Sequence, residues 1–325
     1  IVTASIGISA FPKDGSDVDI LMKNADIAMY EVKKSGRNNY LFFSDGMNEF
    51  IQRRLKLEAE LRAALNRSDL ELHYQPQIRL SDNRIIGVEA LLRWITDDRK
   101  IIPPSSFIPV AEESGLILPL SEWVLQTACR QAKIWQDQLD HTLRMSINIS
   151  PRHFREGNLP GQLSTIIHAT GINPQNLNLE ITEGLIMQDI SRSVTIMRDF
   201  KLLGGTVSID DFGTGYSSLA YLKRLPVDIL KIDRSFILDI DKDEDDAVIV
   251  DAIIAMARHM QIDIMAEGVE TKQALDFLLS RGCRKFQGYI FGRPMPFNKL
   301  LSRFSEIKKS SHRTNVINIR SLMSE

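Results

Sequence analysis

The sequence predicts a (β/α)8 barrel with one antiparallel strand, preceded by a small α+β fragment. Three observations carry that expectation. Between Leu70 and Phe304, eight strand-like runs alternate with helix-like ones, in a span close to the ~250 residues such a barrel occupies. The first two runs are joined only by Ser81-Asp82-Asn83, too short for a parallel crossover, so one strand must run antiparallel. In six of the runs the polar residues share one side-chain parity, and a barrel would gather that parity inside.

Composition limits the alternatives. Among 325 residues, 40 Lys+Arg stand against 42 Asp+Glu for a net charge of −2, with 43 % hydrophobic and 25 % charged residues. This excludes a disordered chain, a fibre and a strongly basic binder of nucleic-acid polymers. No apolar run approaches the ~20 residues of a membrane span, so no membrane segment is expected in this chain. Cys129 and Cys283 are isolated, and none of the six histidines pairs with a Cys or another His at ligand spacing. Neither a disulfide framework nor a structural zinc site is expected.

In chain order, residues 1–10 predict a strand already in progress at Ile1, so the chain is expected to start inside a larger protein. Residues 20–35 suit a helix with Leu21, Ala25, Ala28, Met29 and Val32 on its apolar face, stopped by Gly36, and a strand over 39–43 follows. Residues 1–45 cannot make a core alone and read as the tail of a truncated domain. Residues 46–68 hold a charged amphipathic helix with Ile51, Leu55, Leu61 and Leu65 on or near one stripe, either a rigid linker or the first helix of the next domain. The barrel is expected over 69–305, with strands at 70–80, 84–92, 143–149, 177–182, 206–211, 227–232, 262–267 and 285–290. Helices at 122–138, 194–203, 247–260 and 272–280 fill gaps between them, and 306–325 reads as a polar, frayed tail.

Parity then sorts the chemistry. With Ile86, Val88, Ala90, Met145, Ile147, Leu177, Leu179, Val207, Ile209, Leu230, Ile232, Ile262 and Ile264 facing out, the inward set includes Glu89, Ser146, Asn148, Asn178 and Glu180. It continues with Thr206, Ser208, Asp210, Lys231, Asp233 and Glu267, and Asp211 starts the following loop. A half-exposed sheet with a solvated polar face would read similarly, but parallel strands between helices are buried on both sides. Inward acids with a single Lys repel one another unless cations neutralise them. Hard oxygen donors with an Asn carbonyl and no Cys or His suit Mg²⁺ or Mn²⁺, and this many carboxylates suits two ions about 3.5 to 4 Å apart, the arrangement of phosphodiester hydrolysis.

The same residues carry a family resemblance. Glu89-Ala90-Leu91, Leu92-Arg93-Trp94, Ile147-Asn148-Ile149-Ser150 and Leu179-Glu180-Ile181-Thr182-Glu183 are followed by Asp210-Asp211-Phe212-Gly213-Thr214-Gly215-Tyr216-Ser217-Ser218-Leu219. Lys231-Ile232-Asp233, Ala266-Glu267-Gly268-Val269-Glu270 and Gln287-Gly288-Tyr289 complete the series. In that order, from about 54 to 304, they resemble the EAL family of cyclic di-GMP phosphodiesterases. Ser5-Ile6-Gly7-Ile8-Ser9, Ala25-Asp26-Ile27-Ala28-Met29-Tyr30 and Gly36-Arg37-Asn38 resemble the end of a GGDEF diguanylate cyclase domain, whose Gly-Gly-Asp-Glu-Phe signature does not occur here.

The resemblance implies hydrolysis of cyclic di-GMP to linear pGpG with Mg²⁺ or Mn²⁺, two ions per site; the alternative is a receptor that binds the nucleotide without cutting it. It implies Glu89, Asn148, Glu180, Asp210 and Asp211 as metal ligands, with Glu267 at or beside the metals. Lys231 would orient or activate the attacking water, Glu183 would anchor the loop from Phe212, Gln287 would support the site and Arg93 would hold a phosphate oxygen. Gln75, Pro109 and Asp233 would belong to the nucleotide pocket. A cytoplasmic setting, with any membrane tether upstream, and a homodimer through the barrel are also expected. Lys231 also reads as a structural counter-charge, Arg93 as a rim salt bridge and Glu183 as a helix cap. Gly213-Thr214-Gly215 lacks the spacing of a phosphate-cradling loop and reads as a mobile loop over the site. Asp239, Asp241, Asp243 and Asp245 lack the Gly and Glu of a calcium loop and read as acids capping a helix. His73, His259 and the other histidines read as structural or surface residues.

Overall fold

A computed structural model describes residues 3–34, 38–67, 69–82, 84–96, 98–139, 143–215 and 219–310. By contacts it divides into two compact units, Ile1–Arg67 with Ser105–Ser114, and Ser68–Pro104 with Gly115–Glu325.

In the first unit, β1 (Ile6–Ile8), α1 (Val18–Lys34) and β2 (Tyr40–Phe42) form a parallel crossover with Ile6 opposite Tyr40 and Ile8 opposite Phe42. Gly7 lets strand and helix touch, since a Cβ there would lie 2.0 Å from the Ala25 carbonyl oxygen. Asp17 accepts the Ile20 N–H at the start of α1, and Ala28 and Val32 are buried on the expected face. Gly36, the expected stop, lies outside the described residues. In α2 (Asp45–Ala64) the buried residues are Leu61 and Ala64, whereas Leu55, expected on the stripe, is exposed. Leu55 sits about 100° around the helix from Arg54, and the packed row runs from Arg54 through Leu57 to Leu61 and Ala64. Glu113, in α3 (Pro104–Ser114), accepts the Tyr30 hydroxyl of α1 at 3.3 Å and pairs with Arg54 of α2.

The second unit is the barrel. Its strands are β3 (Leu70–Arg79), β4 (Arg84–Ile95), with the short β5 (Ile101–Ile102) beside it, then β6 (Arg144–Asn148), β7 (Leu177–Thr182), β8 (Thr206–Phe212), β9 (Ile229–Ile232), β10 (Asp263–Ala266) and β11 (Lys285–Gln287). A short β12 (Met295–Pro296) lies beside β3. The sheet closes through β3, which pairs antiparallel with both β4 and β11, while the other barrel pairs are parallel. The expected barrel, with its one reversed strand, is present. Around it lie α4 (Ile117–Leu139), α5 (Pro151–Glu156), α6 (Leu159–Thr170), α7 (Glu183–Gln188), α8 (Ile190–Leu202), α9 (Leu219–Leu222), α10 (Glu244–His259), α11 (Lys272–Ser280) and α12 (Phe297–Ser310). Asp189, Asp243 and Thr271 cap α8, α10 and α11, so the acidic run before α10 serves its helix. α12 continues into the stretch expected to be frayed, and 311–325 lie outside the described residues. No described helix is long and apolar enough to cross a membrane.

The apolar core lies between barrel and helices, where Val88, Met145, Ile147, Leu179, Val207 and Leu230 pack with Leu125, Ala128, Phe200 and Ile254. One outward assignment changes: Ile78 pairs with Ile85 and Gln77 with Gly87, so a bulge leaves Ile86 unpaired and puts Ile85 into the core. Inside the barrel, where such folds usually stack branched aliphatics, polar groups bond one another. Asn178 Nδ2 donates to Ser146 Oγ at 3.0 Å and to Ser208 Oγ at 2.8 Å.

Candidate active site

The registers that close the barrel also assemble its upper interior. Gln75 lies opposite Glu89, Asn148 opposite Glu180, Lys231 opposite Met265 and Gln77 opposite Gln287, so neighbouring strands present these side chains near the C-terminal end of the barrel. This is the end at which barrels of this kind carry their chemistry.

At its centre stands Lys231. The ammonium is buried and lies 2.8 Å from Glu180 Oε2, 3.1 Å from Asp210 Oδ1 and 2.5 Å from Glu267 Oε1. Burial alone would pull its pKa down, but the carboxylates of Asp210, Glu180, Glu267 and Glu89 outweigh it and hold the lysine well above its ordinary value. Burial pushes the Glu180 and Glu267 carboxyls up; Lys231 opposes the rise, and the neighbouring acids add to it. Glu89, on the adjacent wall, accepts from Asn148 Nδ2 at 2.5 Å and from Gln287 Nε2.

Two adjacent aspartates on one strand should point to opposite faces, yet both border this interior. β8 resolves the conflict with a bulge: Ile209 pairs with Leu230 and Phe212 with Ile232, leaving one extra residue between them. Asp211 takes up that excess at φ +54°, a left-handed conformation rare for any residue but glycine. Burial, then Asp210 and Asp233, push its carboxyl up to about 6. The bend is held from outside, because Glu183 Oε2 accepts the Gly213 N–H at 3.2 Å. Thr182 occupies the N-cap position of α7, so Glu183 is the first residue of the helix and its carboxylate is turned to the loop. A Cβ on Gly215 would lie 3.0 Å from Glu183 Oε1, so the loop passes close over this carboxylate. Tyr216, Ser217 and Ser218 lie outside the described residues.

The other expected residues divide. Gln75 accepts from Gln287 at 3.1 Å and donates to the Gly292 carbonyl at 3.2 Å. Asp233 caps the turn at Arg234–Phe236, accepting from the Ser235 N–H, and also faces Asp211. Arg93 is half-buried near Glu89 and makes no ion pair among the described residues, so the rim salt bridge is not seen. Its guanidinium donates to the Leu92 carbonyl at 2.8 Å. Pro109 lies in α3, within the first unit. The sequence reading passed over Gln77, which is buried at the junction of β3 and β11. Its Nε2 lies 3.1 Å from Gln287 Oε1 and 3.3 Å from Ser146 Oγ. The same parity applied to β3 would have found it.

The donor set suits hard divalent cations. Glu180, Asp210 and Glu267 share the ammonium of Lys231, with Glu89 and Asp211 beside them, and Glu180 Oε2, Asp210 Oδ1 and Glu267 Oε1 are buried oxygens with that ammonium as their only partner among the described residues. Among the described residues no three His, Cys, Asp or Glu side chains are arranged to hold a metal ion as they stand; Glu180, Asp210 and Glu267 close instead on Lys231 Nζ, their counter-charge.

Comparison with known proteins identifies the family of both parts of the chain. The EAL domain family matches residues 58–294, and the diguanylate cyclase GGDEF domain matches residues 1–39. Over 301 residues the chain is 46 % identical to the bifunctional diguanylate cyclase/cyclic di-GMP phosphodiesterase MucR of Pseudomonas aeruginosa, covering 93 % of this chain and 44 % of that protein. The cyclic di-GMP phosphodiesterase NbdA of the same organism is 42 % identical over 300 residues, covering 92 % of this chain and 38 % of that one. The chain thus spans less than half the length of these relatives. A solved structure of the MucR phosphodiesterase in complex with c-di-GMP superposes with a TM-score of 0.72 at 44 % identity, covering 75 % of this chain and 99 % of that one.

Proposed function

The chain belongs to the EAL domain family, and on that premise we propose that it hydrolyses cyclic di-GMP to linear 5′-pGpG with Mg²⁺ or Mn²⁺, two ions per site. The observation that carries this reading is the buried lysine held by three carboxylates at the C-terminal end of the barrel. Glu89, Asn148, Glu180, Asp210, Asp211 and Glu267 would hold the ions, which when bound supply Lewis-acid polarisation of the phosphate and neutralise developing charge.

The protein's own groups account for orientation. The Lys231 ammonium directs its three N–H bonds to Glu180, Asp210 and Glu267; with those carboxylates turned to bound ions, an N–H would be released to aim an incoming water at phosphorus. Glu267, within contact of that ammonium, can take the proton released as the new P–O bond forms, and the 3′ oxygen freed as the P–O3′ bond breaks takes a proton from solvent water. Arg93, which makes no ion pair among the described residues, offers its guanidinium to a non-bridging phosphate oxygen. Gln75 and Asp233 stand beside these groups and bound the nucleotide. Glu183 keeps Asp211 and its loop in place.

The reading extends to setting and assembly. Cys129 and Cys283 are buried free thiols, as suits a reducing cytoplasm. Tyr221, Leu238, Val248 and Ile249 are exposed apolar residues around α9 and α10, and they suit a homodimer through the barrel. The deciding experiment incubates the purified chain with cyclic di-GMP and Mg²⁺ or Mn²⁺ and separates the products. Appearance of pGpG, abolished by chelator, is expected. Tight binding without cleavage would favour the receptor instead, and light scattering of the same sample tests the dimer.

A further inference from the structure

We infer that Gln77 is a positioning residue for this site, setting the polarity of a hydrogen-bond chain that ends on the carboxylate of Glu89; the inference rests on the phosphodiesterase reading above. The chain runs from Gln77 Nε2 to Gln287 Oε1 at 3.1 Å, and from Gln287 Nε2 to Glu89 Oε2 and, at 3.1 Å, to Gln75 Oε1. Its direction is chemically forced. An ionised carboxylate only accepts, so Gln287 must present its NH₂ to Glu89 and its carbonyl oxygen to Gln77. Gln77 must then present NH₂ in turn. Reversing that amide would set two carbonyl oxygens against each other in a buried space, where an unpaired acceptor is costly.

Two further features hold Gln77 in this orientation. Ser146 Oγ lies 3.4 Å from Gln77 Oε1 and can donate to it, while Gln77 Nε2 also approaches Glu180 Oε1 at 3.5 Å. The wall of the neighbouring strand is open at Gly87, where a Cβ would lie 3.0 Å from Gln77 Oε1 and 2.7 Å from the Arg144 carbonyl oxygen. A buried amide from the antiparallel strand thus touches or supports two of the inferred ligands, Glu89 through Gln287 and Glu180 directly, without lying among the ligands itself. Groups so placed behind ligands tune how firmly a site holds its ion.

The test compares Gln77→Met, which keeps length and volume but removes the donor, and Gln77→Glu, which keeps shape but offers only acceptors, with the parent chain. Ser208→Ala serves as a control that cuts a hydrogen bond of the same interior without touching Gln287. Three quantities are read: Mn²⁺ binding to the nucleotide-free chain by calorimetry, kcat and KM for cyclic di-GMP, and thermal unfolding. Both Gln77 variants should bind Mn²⁺ roughly tenfold or more weakly and lose kcat with KM little changed, Gln77→Glu more than Gln77→Met. Ser208→Ala should keep parental Mn²⁺ affinity whatever its melting temperature. Folded Gln77 variants with parental Mn²⁺ affinity and kcat would overturn the inference, as would losses that follow melting temperature equally in Ser208→Ala. A parent chain that neither binds Mn²⁺ nor cleaves the dinucleotide would instead overturn the functional reading beneath it.

Discussion

The two mouths of this barrel are both ringed with charge, but they are built on opposite rules. At the mouth formed by the N-terminal ends of the parallel strands the acids meet cations one by one or outnumbered: Arg79 grips Asp82 at 2.9 and 2.7 Å with Arg84 also near it, Lys201 meets Asp228 at 2.6 Å and Lys285 meets Asp263 at 2.5 Å. Arg144, largely buried there, has its guanidinium drawn down by burial and supported by Asp228 and Asp263. At the C-terminal ends three acids share the ammonium of Lys231, and Glu89 and Asp211 crowd in beside them. Paired charges close a barrel at little cost, whereas crowded like charges resist folding. The difference separates a mouth shaped for stability from one shaped to receive cations.

The comparison breaks most visibly if an upper acid is removed. Glu89→Ala or Asp210→Ala should lower kcat by about 10³-fold or more, several kcal/mol of transition-state stabilisation. The melting temperature of the metal-free chain should hold or rise, because each change relieves repulsion. Parallel assays of turnover and thermal unfolding check this; a variant that melts far below the parent yet cleaves normally would remove the acid from the site. Glu183→Ala should have a smaller effect, about tenfold on kcat, with more Mg²⁺ needed for half-activation. It frees the Gly213 N–H and the bulge that holds Asp211, and small misplacements are costly in catalysis. A Mg²⁺ titration with unchanged kcat and metal requirement would reduce Glu183 to a residue of helix α7.

The upper mouth should also announce itself through pH. Asp211 is pushed up to about 6, and Glu180 and Glu267 are raised as well. A carboxyl raised on folding stabilises fully only below its unfolded value of about 4, and that contribution is lost as pH climbs through the folded value. Lys231, held above its ordinary value, stays charged across this window. In chelator the chain should therefore melt several degrees lower at pH 8 than near pH 5, and Mg²⁺ should recover more at pH 8. Scanning calorimetry at the two pH values tests it, and a melting temperature indifferent to pH and Mg²⁺ would contradict the reading.

How much of this was legible beforehand follows from geometry. Parity along parallel strands is a strict period of two, so Glu89, Glu180, Asp210, Lys231 and Glu267 could be placed inside from sequence. The departure from strand geometry at Asp211 was foreseeable only through the resemblance, which makes ligands of two adjacent aspartates where parity turns in Asp210 alone. The bulge at Ile86 was not, because nothing in Arg84-Ile85-Ile86-Gly87 says which isoleucine leaves the ladder. Gln77 was lost for another reason. Strand 70–80 was not sorted by parity, yet Gln75 and Gln77 alternate there with Leu72 and Tyr74, and pairing with β4 and β11 turns them inward. The roles of individual ligands came from family resemblance, since parity brings side chains to an interior without saying what they hold.

A change at the lower mouth should touch stability and leave chemistry alone. Asp228 stands just before β9, where one carboxylate oxygen pairs with Lys201 and the other accepts the Val207 N–H at 2.9 Å. Asp228→Asn keeps the shape but exchanges a charge-assisted contact for a neutral one, leaving Lys201 without its counter-charge and Arg144 with only Asp263 nearby. Hydrogen bonds to charged groups contribute about 1.5 to 3 kcal/mol when buried, and partial exposure of this pair places the loss near the lower end. The melting temperature should therefore fall by a few degrees, and less so in high salt, which already screens the ring. Turnover and Mg²⁺ requirement should not move, because no inferred ligand contacts Asp228 and the metal-facing ends lie at the opposite mouth. Salt-dependent unfolding measured beside kcat decides the point: a kcat loss at parental stability would mean that charge at the lower ring reaches the chemistry, and the division between the two mouths would have to be given up.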